Sequence, residues 1–258
     1  MSKSNSETQG WKENAQKLTP LVVIVPVGPN DSQWTRLLKD LCGLEPRLHV
    51  VLVVARDRKK FSGESFFKAH QQILESFEAR GLDVEVMFSE PNRGRQINQG
   101  ILNTEEPWIW VLHADTRLRR PCFHTLKGEF EKNPNRLFFF DLEFDRDGPQ
   151  WMWANALGTR FRSRVLGLPF GDQGFAFSRT VFFKVGPFQE RVKYGEDHLF
   201  VWKARHEGVP LQPLDARILT SARKYKKRGW LRTTSEHLVL TAAQATTQWI
   251  QSWFKKRC

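Results

Sequence analysis

Short apolar runs alternate with helix-like segments through the first half of the chain, and this alternation limits the fold more than any other feature. Leu21 to Val27 (LVVIVPV), His49 to Val54 (HVVLVV), Val84 to Phe88 and Trp108 to Leu112 (WIWVL) are β-branched or aromatic runs of strand length. Between them lie segments of helical spacing. Trp34, Leu37, Leu38 and Leu41 follow the cap candidates Asn30, Asp31 and Ser32 and stop at Gly43. Residues 64–80 carry an apolar face of Phe66, Phe67, Ile73, Leu74 and Phe77 and stop at Gly81. Residues 94–103 form a shorter third helix. Strands without polar alternation that are joined by helices predict a parallel sheet covered on both faces. In such a sheet the ligand lies beyond the carboxyl ends of the strands, so chemistry is sought in the residues that follow each run.

The second half has a different rhythm. Leu137 to Phe144 reads as a strand, Phe175 to Phe177 and Arg217 to Thr220 as short strands, and Trp151 to Leu168 as a helix or an ordered loop. Helices are expected near Glu196 to His206 and Leu231 to Phe254. No repeat or linker interrupts the pattern. The expected organisation is a polar tail over 1–19, one α/β domain over 20–229, and a basic amphipathic C-terminal segment over 230–258. That segment would pack on the domain or lie at a membrane surface.

Charge and cysteine content narrow the partners. The net charge is +12, and residues 217–258 carry ten Lys or Arg against one acid, Glu236. Such a balance suits a nucleoside diphosphate, an acidic lipid surface or nucleic acid, and equally a solvated basic tail. The absence of helix-turn-helix, zinc-finger and RNA-recognition signatures argues against nucleic acid. Cys42, Cys122 and Cys258 have neither disulfide nor zinc-ligand spacing. No secretory apolar segment and no run of membrane-spanning length occurs, so a cytoplasmic location is expected, with peripheral contact at the inner membrane face as an option.

Familiar nucleotide motifs are missing. Val27-Gly28-Pro29-Asn30-Asp31 is not a dinucleotide fingerprint, and neither a P-loop nor a nucleophile elbow occurs. Four other stretches carry candidate chemistry. His113-Ala114-Asp115-Thr116 follows an apolar strand, where a carboxylate suits a divalent cation or merely caps a turn. Asn92-Arg93-Gly94-Arg95 opens a helix, which is an anion site or a solvated basic start. Glu196-Asp197 also opens a helix. There an acid serves the dipole, or acts as a general base if it faces a cleft. Gly171-Asp172-Gln173-Gly174 is a turn before a strand, or a polar lining beside an acceptor.

In this order, VVIVPV, RGRQINQG, WVLHADTRL, NALGTRFRSR, GDQGFAFSRTVFFKVGPF, GEDHLFVWKARHEG and TSARKYKKRGWLRT resemble the family-2 glycosyltransferases of the GT-A fold. The nearest likeness is to the bacterial arsenosugar-biosynthesis-type, or radical-SAM-associated, subgroup, from Leu21 onward. The resemblance implies a nucleotide-sugar donor, Mg²⁺ or Mn²⁺, and a small-molecule or lipid-linked acceptor. It assigns the metal to Asp115, as the last acid of a D-x-D motif, and the catalytic base to Asp197, paired with Glu196. It assigns the donor to Pro26, Arg93, Arg95, Asn98 and His113, and the acceptor to Gly171, Asp172, Gln173 and Arg164. Two positions depart from the family pattern. His113 replaces the first acid of D-x-D. Val53-Val54-Ala55-Arg56-Asp57 replaces a V-V-D that holds the nucleobase, leaving Asp57 as the substitute. A catalytically silent domain of this fold, a nucleic-acid-binding protein and a nucleotidyltransferase are the competing classes.

Overall fold

The computed structural model describes residues 20–29, 31–45, 47–56, 63–192 and 194–235. Seven strands form one sheet: β1 (Leu21–Val27), β2 (Leu48–Ala55), β3 (Leu82–Ser89), β4 (Trp108–Val111), β5 (Leu137–Phe144), β6 (Ala176–Ser178) and β7 (Leu211–Thr220). The helices are α1 (Trp34–Leu41), α2 (Gly63–Glu78), α3 (Arg93–Leu102), α4 (Pro121–Phe130), α5 (Met152–Arg164), α6 (Arg179–Val185), α7 (Glu196–His206) and α8 (Arg223–Arg228). Residues 230–235 are again helical. The expected tail over 1–19 and all but the start of the expected C-terminal helix lie outside the described residues, as does Asp57.

The strand order is β3-β2-β1-β4-β6-β5-β7. β1 pairs in parallel with β2 and β4, and β2 with β3, as the alternation predicts. The second half departs from a purely parallel sheet, because β6 runs antiparallel to both β4 and β5. No sequence period announces that reversal, since a three-residue strand is too short to show one. Each face carries its own core. One packs Val23, Val25, Trp34, Leu38 and Phe77 with Trp110 and Phe140; the other packs Ile24, Val53, Ile97, Phe177 and Phe200.

Leaving β1, the chain goes one way to β2 and β3 and the other way to β4. In sheets of this kind a ligand crevice is expected at such a reversal of strand order. Pro26 marks its mouth. Ile24 O accepts the Leu112 N–H (3.0 Å), so Pro26, two residues on, faces the same side. The β1–β4 pairing ends at Ile24–Val111, so the missing proline N–H costs no ladder bond there.

Candidate functional site

The crevice is pinned by a residue whose role the sequence did not reveal. Gln96 is buried on α3, and its Nε2 donates to Val27 O (2.9 Å) and Val53 O (2.6 Å). One amide thereby ties together the carboxyl ends of β1 and β2. α3 is held from its other side by the loop before α7. Asn98 Nδ2 donates to Phe188 O (2.9 Å) and to Glu190 Oε1 (2.9 Å), and Asn98 Oδ1 accepts the Phe188 N–H (2.9 Å). Arg95 Nε donates to Glu190 Oε2 (3.0 Å). These bonds, led by the one from Asn98, hold the Glu190 carboxyl below its ordinary range. Asn98 is fully engaged within the protein and Arg95 is turned to Glu190; neither is aimed into the crevice as the resemblance implies.

Arg93 opens α3. Its Nε lies 2.6 Å from Glu196 Oε1, an ion pair without hydrogen-bond alignment, and its Nη1 lies 3.3 Å from His113 Nε2. A guanidinium only donates, so His113 accepts at Nε2 and carries its proton on Nδ1. His113 keeps some surface open to the crevice, yet protein surrounds most of it. Burial, with the Arg93 charge beside it, drives its pKa down to about 3 against the pull of Asp197. The imidazole is therefore neutral at physiological pH.

Asp197 stands opposite. Gly195 precedes α7 in the left-handed conformation (φ 85°), which favours glycine and turns the chain so that Glu196 and Asp197 open the helix. Asp197 Oδ2 accepts the Gly171 N–H (2.7 Å), and Oδ1 accepts the His198 N–H (2.8 Å). A side chain at Gly171 would be crowded, since a Cβ would sit 3.1 Å from Asp197 Oδ2 and 3.1 Å from His113 Nε2. Burial raises the Asp197 pKa, but Arg93 and the N–H groups of Gly171 and His198 outweigh it, and the carboxyl is held below its ordinary range. Glu196 behaves oppositely: burial outweighs Arg93 and raises it.

Two more acids lie in reach of this charge. Asp115, after β4, is raised by burial and by Asp31, and Thr220 Oγ1 donates to its Oδ2 (3.4 Å). Asp172 is raised to about 6 by burial; Asp197 and Asp115 add to the rise and Arg162 opposes it. Asp172 Oδ1 is buried without a hydrogen-bond partner. Gln173 has a structural task instead, with Nε2 on Phe140 O (2.8 Å) and Oε1 accepting the Phe170 N–H (3.1 Å).

The arginine that turns inward from α5 is Arg162, not the expected Arg164. Arg164 forms a two-pronged pair with Asp141 (2.8 and 3.1 Å), a carboxylate that Arg160 also approaches at 3.3 Å. Residues 160 and 164 are a helical turn apart and share a face, while 162 points away from them. Arg162 lies over the Phe170 ring, its guanidinium carbon 3.3 Å from the centroid, with Nη2 3.5 Å from Gln173 Oε1. Its Nη1 is buried and unpaired.

Among the described residues, no cluster of three or more His, Cys, Asp or Glu side chains is gathered to hold a metal ion. Asp115 feels the charge of Asp31, and Asp172 that of Asp115; a single carboxylate such as Asp115 suits a divalent cation that takes its other ligands from water and phosphate. A separate cleft of about 500 Å³, lined by Phe144, Gly148, Met152 and Trp153, lies beside the start of α5 rather than over these acids.

No family model matches the chain, and no curated protein matches it by sequence. Solved structures do match it. A crystal structure of S. aureus TarS 1–349 in complex with UDP-GlcNAc aligns with a TM-score of 0.57 at 19% identity, over 78% of this chain and 58% of that one. The complex of the same protein with UDP gives 0.57 at 20%, over 78% and 60%. GalNAc-T7 with UDP, GalNAc and Mn²⁺ gives 0.59 at 14%, over 80% and 44%. The chain thus spans roughly half the length of these structures. Their likeness shows the fold: α/β, of the GT-A glycosyltransferase type, with a seven-stranded, mostly parallel sheet.

Proposed function

We propose that this chain transfers a sugar from a nucleoside-diphosphate sugar to an acceptor hydroxyl, with inversion at the anomeric carbon. The observation that carries the reading is the meeting of Arg93, His113, Gly171 and Asp197 beside the sheet's strand-order reversal. A positive group and an ionised carboxylate thus stand in one cluster. The bound nucleotides of the TarS and GalNAc-T7 structures support a nucleoside diphosphate as the ligand.

In this reading Arg93 draws the donor diphosphate to the helix start, where free backbone N–H groups add to its charge. Asp115 would hold Mg²⁺ or Mn²⁺, which supplies Lewis-acid stabilisation of the departing diphosphate. His113, being neutral, adds no charge and offers hydrogen bonding beside Arg93. Asp197 receives the acceptor's proton. A carboxylate held in its ionised form is a weak base, so the proton moves late, once the forming C–O bond has made the hydroxyl acidic. Each Asp197 oxygen accepts one backbone N–H and keeps lone-pair capacity for that proton. Arg162 and Asp172 border the acceptor. The acceptor is a small molecule or a lipid-linked one, in keeping with the bacterial subgroup that the motifs resemble.

A catalytically silent binding domain is the second reading. The buried Ala55 at the end of β2 favours it, because no carboxylate stands there to hold a nucleobase. Asp197→Asn separates the two. The transferase reading predicts that transfer is abolished while donor affinity stays within about threefold, as expected for a group acting only in the reaction. A wild-type protein that binds donor without turnover on a broad acceptor panel, and an Asp197→Asn variant that binds it equally, would favour the silent domain.

A further inference from the structure

The outer face of α5 carries large apolar side chains turned to solvent. Trp153, Leu157, Phe161 and Val165 recur every four residues at 63%, 61%, 57% and 65% exposure. Trp151 and Leu166 extend the row at its two ends and are also more than half exposed. Only Met152 and Ser163 of this helix are buried. These side chains share one outward side of the helix with Arg160 and Arg164, so large apolar groups stand in solvent interspersed with basic ones. A contiguous row of this kind marks an interaction surface.

Charge identifies the partner. Residues 151–168 contain Arg160, Arg162 and Arg164 and no acid, and Arg160 and Arg164 share the single carboxylate of Asp141. Next to α5 run α8 and the helical residues 230–235. Met152 packs on Ala222 and Tyr225, Trp230 Nε1 donates to Asn155 Oδ1 (2.7 Å), and Asn155 Nδ2 donates to Thr234 Oγ1 (3.1 Å). This flank exposes Arg223, which pairs with Asp147, and Lys226, together with Leu231 at 75% exposure. The acids nearby are already engaged: Glu143 with Arg119 and Arg217, Asp145 with Arg36, and Asp147 with Ser221, Ala222 and Arg223. The face thus carries large apolar side chains interspersed with Arg160 and Arg164, tryptophans at one end, and a basic flank. Among the described residues no helix is long and apolar enough to cross a membrane.

We propose that α5 is a membrane-docking helix that lies in the plane of an anionic phospholipid surface. Trp153, Leu157, Phe161 and Val165 enter the boundary between headgroups and acyl chains, while the basic flank of residues 223–232 contacts lipid phosphates. Tryptophans at the end of such a helix take the headgroup level. This inference is independent of the transferase reading.

The test uses the full chain with vesicles of phosphatidylcholine alone or mixed with phosphatidylglycerol, by co-sedimentation. The wild type is expected to sediment with the anionic vesicles, and far less with the neutral ones or at high salt. Leu157→Glu/Phe161→Glu is expected to lower that partition on the order of tenfold or more. Its melting temperature should not change, since both side chains are exposed. Vesicles with brominated acyl chains give a second readout that does not depend on the charge-bearing variant. They should quench tryptophan fluorescence in the wild type, and less in Trp151→Phe/Trp153→Phe. Absence of wild-type binding to anionic vesicles overturns the proposal. So does undiminished binding by the Glu variant, which would assign the contact to another part of the chain. A concentration-dependent dimer that the Glu variant splits, without vesicle binding, would assign the face to a second copy and also overturn it.

Discussion

Asp172 should cost the fold stability at neutral pH, and replacing it with asparagine should return that stability. Burial, reinforced by Asp197 and Asp115, lifts its carboxyl from the ordinary 3.8 to about 6, although Arg162 pulls the other way. A group whose folded-state pKa lies above its unfolded value favours the fold least where it is ionised. Below about pH 4 the residue is protonated in both states and Asp172→Asn is nearly neutral. Between about 4 and 6 the unfolded chain ionises first, and the wild type loses stability as pH rises. Above about 6 the full cost is present. At about 1.4 kcal/mol per pH unit, the gain for Asp172→Asn is about 2–3 kcal/mol at pH 8. The assay is urea unfolding of both proteins at pH 4.5, 6 and 8 with divalent ions chelated, and the gain should grow with pH. An Asp172→Asn protein less stable than wild type at pH 8 would refute the reasoning, showing that Arg162 outweighs burial and the two neighbouring acids.

Other outcomes follow from the same geometry. Gln96→Leu removes two buried hydrogen bonds, to Val27 O and Val53 O, and should destabilise by about 1–3 kcal/mol in chemical denaturation. Gly94→Ala would place a Cβ 2.7 Å from Gln189 O, a backbone atom that cannot swing away; a loss of about 1–3 kcal/mol is expected by the same method. Gly171→Ala crowds Asp197 and His113 at 3.1 Å, so transfer should fall at least about tenfold with donor affinity largely kept, as read by steady-state kinetics and titration. Arg162→Lys loses the stacking on Phe170 and should raise the acceptor KM more than it lowers kcat.

The first half of the fold could be read from the sequence because buried parallel strands write themselves as unbroken β-branched runs. The interval from Leu21 to Val111 matches the expected elements with shifts of one or two residues. The second half was harder. The strand expected at Arg217–Thr220 begins at Leu211, and Pro213 conceals its start, a residue this edge position tolerates. α4 and α6 were not expected, since neither carries a long apolar period. The first helix is capped differently too: Asp31 Oδ1 accepts the Gln33 N–H, and Gln33 precedes the helix.

The site was legible wherever a motif follows a strand or opens a helix. His113, Asp115, Glu196 and Asp197 stand at such junctions, and Arg93 meets His113 and Glu196 as a helix-start cation should. Polar residues inside helices were not legible. Gln96, Asn98 and the choice between Arg162 and Arg164 depend on which direction the helix faces, and R-F-R-S-R gives no apolar stripe to fix it. Asn98 and Gln96 sit in one motif, RGRQINQG, yet both are committed to backbone rather than to the crevice.

The cluster around Arg93, Asp115 and Asp197 is expected to bind a nucleoside diphosphate together with a divalent cation. Calorimetric titration of UDP, GDP, CDP and dTDP into the full chain, with and without Mn²⁺, tests it most directly. The account predicts Mn²⁺-dependent binding of one of them, weakened at least about tenfold by Asp115→Ala and by Arg93→Ala, since each removes a charged partner of the diphosphate. Failure of all four to bind with either Mn²⁺ or Mg²⁺, by a protein that melts cooperatively, would contradict it.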